Sequence, residues 1–291
     1  MKNEYTPDEL KRLHQELYDI LGEIIRVCNH LGITYFIQGG TAIGAFFEQT
    51  ILPWDDDIDL GMTRADFKRF VREAPAAVGD EYFVQWLETD PHTPYYYAKV
   101  MKRNTLFAEA DFIHLQKQHG IFIDVFPFDR VPNNQRLQRW QRTAANFLNC
   151  CFMGKDIWMW KHCGTPQVAH PTNRGFWPCL FTRIVDALFT KRFIYRMLSW
   201  VQGLWNGSHT ATHYNMVLMP RDHIAVSSIE NMQRIPFGPF TVNAPSDLET
   251  YLRHHYPRLR RHIPKEEQQN HRPQYLSFDT RTGDGDMPQN T

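Results

Sequence analysis

The chain has 291 residues, and 32 Lys plus Arg against 32 Asp plus Glu give a formal net charge of zero. That balance excludes a general nucleic-acid binder, which needs surplus charge to neutralise phosphate. With 42% hydrophobic and 22% charged residues, wholesale disorder is excluded too, and the chain is long enough to bury a sizeable core. Along the chain, Thr6-Pro7-Asp8-Glu9 opens a helix: Thr6 caps, Pro7 takes the first helical position and Glu9 closes a capping box. Leu10, Leu13, Leu17, Ile20, Leu21, Ile24, Val27, Cys28 and Leu31 follow as one apolar stripe, and Gly32 stops it. Ile33 to Ile37 reads as a buried strand, followed by Gly39-Gly40 and a brief helix through Phe47. From Asp57 to Leu60, acids alternate with aliphatics as on a strand. Thr63 and Asp66 start a helix carrying Phe67, Phe70 and Val71. Further strands are predicted at Tyr82 to Trp86, Tyr95 to Met101 and Gly120 to Phe126. Pro132-Asn133 opens a second long helix, its core face set by Leu137, Trp140, Ala144, Phe147, Leu148 and Cys151. The pattern weakens from Gly154 to Pro178, and a single helix is predicted over Thr182 to Val201. A hairpin follows over Ile235 to Val242, broken at Gly238-Pro239, then a helix capped by Ser246 and a polar, mobile tail after Pro264.

Three features combine into chemistry. Gly39-Gly40 stands between a strand and a helix, where the backbone can approach a phosphate and the helix N-terminus favours negative charge. Asp57 and Asp59, two apart on a strand, point to one side and can hold one or two Mg²⁺ or Mn²⁺ ions, hard cations that prefer oxygen. Asp124, between Ile123 and Val125, is a carboxylate in an apolar run. Buried there it needs a partner, either a metal or a basic side chain. It could complete a metal site or accept the proton of an attacking hydroxyl. Each piece alone has an ordinary explanation as a turn or a solvated acidic loop; together they point to metal-assisted phosphoryl transfer.

The stretch GGTAIGAFFEQTILPWDDDIDLGMTRADFKRF (Gly39 to Phe70) resembles the signature of the LicD family, which includes bacterial phosphocholine transferases and is related to fukutin and fukutin-related protein. GIFIDVFPFD (Gly120 to Asp129) resembles a second family block, and YYAKVMKRNTLFAE (Tyr96 to Glu109) the segment between them. The likeness is looser at PFTVNAPSDLETYLRHHYP (Pro239 to Pro257). It implies an α+β fold of nucleotidyltransferase type: a mixed sheet flanked by helices, with a helix-rich C-terminal half. The expected division is a catalytic core over residues 1–131, a helical or mixed region over 132–264 that carries the acceptor site, and a polar tail over 265–291. The resemblance implies that Gly39, Gly40 and Thr41 cradle phosphate, that Asp57, Asp59 and Asp124 bind metal and carry catalysis, and that Asp56 orients a ligand or the loop. Where the family has a basic pair after the glycine loop, this chain has Phe47 and Glu48. Lys99 and Arg103, which share a strand face, are candidates to supply the missing charge; Arg64 could reach the site or pair with Asp66.

The implied reaction moves a phospho-alcohol from a CDP-alcohol such as CDP-choline to a hydroxyl of a cell-surface glycan or its lipid-linked precursor, releasing CMP. Two alternatives stand beside it: a nucleotidyltransferase that releases pyrophosphate from an NTP, and a non-catalytic glycan-assembly scaffold. The longest stretch without Asp, Glu, Lys or Arg, Met197 to Pro220, is too polar for a bilayer core, and the N-terminus has no apolar signal core. Five cysteines at irregular spacing make no disulfide framework. The expectation is a reduced, cytoplasmic protein without a transmembrane segment, with peripheral contact at the inner membrane face left open. Cys150, Cys151, His162, Cys163, His170 and Cys179 match no standard zinc spacing, so a structural zinc is a minor alternative. Trp158, Trp160, Trp177, Trp200 and Trp205 could line a choline-like site or simply pack.

Overall fold

Thr6 caps the first helix, α1 (Pro7–Leu31), with the reciprocal capping box that its sequence predicts, and Gly32 ends it in the left-handed conformation. The stripe from Leu13 to Cys28 is buried and forms one wall of the main core. A computed structural model describes residues 4–110, 112, 113, 115, 117–156, 176–219, 223–268 and 270–282.

After α1 come β1 (Phe36–Ile37), α2 (Gly39–Phe47), β2 (Asp59–Thr63), α3 (Arg64–Glu73), β3 (Tyr82–Gln85), β4 (Ala98–Lys102), β5 (Leu106–Ala108) and β6 (Phe122–Val131). The strand expected over Ile33 to Ile37 shrinks to two residues, because pairing with β2 engages only Phe36 and Ile37. The glycine pair lies inside α2 as its first turn rather than ahead of it. The central sheet runs β1-β2-β6-β4-β3. Its β2–β6 pair is parallel and the others along that path are antiparallel. This is the mixed sheet flanked by helices that the sequence leads one to expect.

β6 is the spine. Its first half pairs β4 as far as Val125, and its second half pairs β7 (His213–Asn215) from Asp129 onward. Pro127 stands between the two pairings, where its missing N–H costs no bond on that edge. β8 (Ile224–Ala225) extends the second half beyond β7.

The C-terminal half adds α4 (Gln135–Met153), α5 (Phe176–Leu188), α6 (Lys191–Gln202), α7 (Val226–Glu230), the hairpin β9 (Gln233–Phe237) and β10 (Phe240–Ala244), α8 (Leu248–His255) and β11 (Tyr275–Ser277). Asn134 caps α4, and its buried face is Gln141, Ala145, Cys151 and Phe152. Of the predicted core face, Cys151 is buried and Ala144 and Leu148 pack against a small apolar cluster, but Leu137, Trp140 and Phe147 are exposed. The helix is apolar on two sides, and hydrophobicity alone does not separate them. The single helix predicted over Thr182 to Val201 is two, because Thr190 turns out and caps α6 through the Phe193 N–H. Asp247 rather than Ser246 caps α8.

Residues read as a mobile tail are tied down: β11 pairs antiparallel with β5, and the Thr280 N–H donates to the Asn104 carbonyl. Cys28, Cys150 and Cys151 are thiols, whereas Cys179 is disulfide-bonded, which corrects the expectation of a fully reduced chain. His162, Cys163 and His170 of the zinc alternative, with Trp158 and Trp160, lie outside the described residues. Among the described residues, no helix is long and apolar enough to cross a membrane.

Candidate active site

The acids are placed by the sheet. Ile58, Leu60 and Met62 enter the core, which turns Asp57 and Asp59 to the opposite face. Asp59 is the register partner of Asp124 across the parallel β2–β6 pair. Lys99 is the register partner of Asp124 across β4–β6. Its ammonium lies 2.9 Å from Asp124 Oδ1, with both residues buried. The partner that a carboxylate in this apolar run requires is therefore a basic side chain. The Lys99 ammonium also sits 3.2 Å from the Phe122 ring centroid and 4.3 Å from that of Tyr95.

The preceding turn brings in two more acids. The Asp55 N–H donates to the Leu52 carbonyl, and the Asp55 carbonyl meets His14 Nε2 at 2.8 Å. Asp56 is buried, and its Oδ2 accepts from Tyr5 Oη at 2.8 Å and from the His271 N–H at 2.8 Å. Its Oδ1 is buried without a hydrogen-bond partner.

Crowding raises all of these carboxyls above their ordinary values. Burial lifts Asp55 to about 8, reinforced by Asp57 and Asp56. Burial and Asp56 raise Asp57; burial, then Asp57, Asp124 and Asp55, raise Asp59 well above the usual range. Burial lifts Asp124 to about 6, against the opposing pull of Lys99. Asp56 also rises through burial, held back by Tyr5 and His271.

Glycine makes room for this cluster. A Cβ on Gly39 would stand 3.1 Å from Asp59 Oδ2, and one on Gly40 would stand 2.9 Å from Asp55 Oδ2. Gly39 has φ +59°, a left-handed conformation that side chains disfavour, and its N–H donates to Tyr251 Oη of α8 at 3.0 Å. Thr41 Oγ1 accepts the Asp59 N–H at 2.8 Å and holds the strand entry.

Five acids gather here, and the buried Lys99 pairs with Asp124 and acts on Asp57 and Asp59. Such a set fits a hard divalent cation: its donors are oxygens, and one buried oxygen is unpartnered. Among the described residues, the side chains whose ligand atoms all lie within 4.8 Å of one another are Asp56, Asp57 and His271. This differs from the expected set of Asp57, Asp59 and Asp124, whose members interact electrostatically around it. His271 ends the His-rich segment from His254, which the sequence offers as a metal or anion surface with dispersed surface histidines as the ordinary reading, and nothing there marks it as a neighbour of the acids.

Two basic candidates lie elsewhere. Arg103 lies beyond the end of β4, where it donates to the Tyr82 carbonyl and covers the Phe83 ring. Arg64 pairs with neither the acid cluster nor Asp66; its Nε donates to Asp129 Oδ1 at 2.9 Å, and its guanidinium also reaches Gln202. Glu48, at one of the positions where a basic residue was expected, is met by Arg261 at 3.1 Å.

Residues 32–153 match the family model described as LicD/FKTN/FKRP, nucleotidyltransferase domain. The chain is similar to the lipopolysaccharide cholinephosphotransferase LicD of Haemophilus influenzae, at 30% identity over 158 residues, 52% of this chain and 56% of that protein. It is also similar to an uncharacterized protein of Rickettsia typhi, at 27% identity over 193 residues, 58% of this chain and 61% of that protein. The chain thus spans somewhat over half the length of the curated relatives it matches.

Proposed function

We propose, from the match of residues 32–153 to the LicD/FKTN/FKRP, nucleotidyltransferase domain family model, that this chain is a divalent-metal-dependent phosphotransferase. It moves a phospho-alcohol group, phosphocholine in the first instance, from a CDP-alcohol to a hydroxyl of a cell-surface glycan or its lipid-linked precursor. The oxygen of the acceptor forms a bond to the phosphorus bearing the alcohol, the bond from that phosphorus to the bridging oxygen breaks, and CMP leaves with the electron pair. The observation that carries this reading is the gathering of Asp55, Asp56, Asp57, Asp59 and Asp124 against the glycine-lined start of α2.

Asp56, Asp57 and His271, with Asp59 and Asp124 acting electrostatically on the same cluster, would hold Mg²⁺ or Mn²⁺. The cation, when bound, neutralises charge on the diphosphate and on the leaving oxygen. The chain's own residues do the rest. Gly39 and Gly40, which put no side chain against Asp59 and Asp55, would let phosphate oxygens approach the acids. Lys99 holds Asp124 through its ion pair. Asp124 is raised to about 6, which suits a carboxylate that accepts the acceptor's hydroxyl proton near neutral pH. Catalysis then rests mainly on positioning and charge neutralisation.

The test is product analysis. CDP-choline with a glycan acceptor and Mg²⁺ should yield CMP without pyrophosphate. Asp57→Ala and Asp59→Ala should abolish that release while calorimetry follows donor binding. Pyrophosphate from an NTP in place of CMP would make the chain a nucleotidyltransferase. Donor binding that ignores both the metal and the two substitutions would leave a scaffold without chemistry. A panel of CDP-alcohols identifies the alcohol.

A further inference from the structure

Large exposed apolar side chains concentrate in one stretch. Among the described residues, all of them except Met219 lie on α4, α5, α6 or the α5–α6 junction. Trp140, Phe147, Trp177, Leu188, Phe193 and Trp200 stand out, each more than 40% exposed. They are not a misplaced core face. The inner sides of these helices are already packed, with Ala145, Phe152, Val185, Ile194 and Leu198 buried in two small apolar clusters. The outward residues form a second apolar face on these helices. Phe147 meets Phe181 with ring centroids 6.3 Å apart, and Phe189 stacks on Phe193 at 5.6 Å. A patch of this kind on a folded chain marks a surface with an occupant.

Charge identifies the occupant. The three helices contain a single acid, Asp186, and Lys155 holds it at 2.6 Å. Arg136, Arg139, Arg183, Arg192 and Arg196 are exposed and make no ion pair among the described residues. Arg192 and Arg196 share the exposed side of α6 with Phe193 and Trp200. This local excess of positive charge stands out in a chain of zero net charge. A second copy docking symmetrically would set arginine against arginine. An anionic surface with an apolar layer beneath it satisfies both halves of the patch.

We propose that α4, α5 and α6 form a docking face that lies in the headgroup layer of an anionic bilayer, with Trp and Phe side chains inserted and arginines on lipid phosphates. The helices lie along the surface and do not cross it. This inference does not depend on the proposed reaction, because its test needs neither donor nor metal. The full chain is sedimented with vesicles of phosphatidylcholine alone and with vesicles that also contain phosphatidylglycerol. Binding should be at least about tenfold tighter to the anionic vesicles and should fall with added salt. Tryptophan emission should shift to the blue on binding. Trp177→Glu with Phe193→Glu, and separately Arg192→Gln with Arg196→Gln, should each weaken binding about tenfold while circular dichroism stays unchanged. Absence of binding, or equal binding to both vesicle types, overturns the proposal. So does concentration-dependent dimerisation without vesicle binding, which would assign the face to a second copy.

Discussion

At the scale of single residues, the acid cluster is a set of carboxyls held above their ordinary values by burial and by one another. A carboxyl whose folded value is raised binds its proton more tightly in the folded chain. Its contribution to stability is therefore present at low pH and is lost as pH rises through the folded value. With Asp124 at about 6 and Asp55 at about 8, the metal-free chain should lose stability from about pH 4 to about pH 8. Mg²⁺ binds only the ionised acids, so the rise in Tm that it causes should be larger near pH 8 than near pH 5. Thermal scans with and without the ion check both signs. Asp57→Ala should lower transfer at least about 100-fold with little effect on the fold. His271→Ala should weaken metal binding about tenfold if the Asp56–Asp57–His271 set is the one occupied. Much of this was legible in the sequence. Two acids spaced two apart on a strand must share a face, and Asp124 in an apolar run demanded a partner. Strand alternation is local, and it sets Lys99 beside Asp124. Arg103 was lost because β4 ends one residue before it, and alternation stops where the strand does.

At the scale of elements, the site is braced by contacts that join distant segments. Arg64 of α3 and Asp129 of β6 form a fully buried pair that Asn206 and Gln202 extend. Removing one partner leaves a buried charge alone, so Arg64→Ala should cost about 3–5 kcal/mol in chemical denaturation. Gly61 in β2 lies under the Phe36–Phe128 ring pair, where a Cβ would come within 2.3 Å of the Phe36 ring. Gly61→Ala should therefore destabilise the sheet by about 1–3 kcal/mol, measured the same way. Helix starts were readable because capping is local chemistry: Thr6, Thr63 and Thr190 all accept from the third backbone N–H of their helices. The inward face of α4 was readable only in part, at Ala144, Leu148 and Cys151. A helix with apolar residues on two sides carries no local mark of which side meets the core, and Gln141, a polar residue, is buried because it donates to the Val201 and Gln202 carbonyls.

At the scale of the whole molecule, the site is closed by both ends of the described chain. Tyr5 and His271 both donate to Asp56, Arg272 pairs with Glu9 at 3.0 Å, and β11 adds to β5. Truncation after Pro264 should lower Tm and weaken Mg²⁺ binding, even though every predicted acid is retained; calorimetry of the shortened chain checks this. Composition argued for a polar tail, and it could not show that this segment pairs with β5, because such pairing is a long-range event without a local signature. The distance along the chain has a consequence for biosynthesis. Asp56 precedes the residue that caps it by 215 positions, so on the ribosome the acid loop emerges long before its closing partner. Until residue 271 has been made, Asp56 lacks the N–H that closes its site, so full binding competence would arrive late in synthesis.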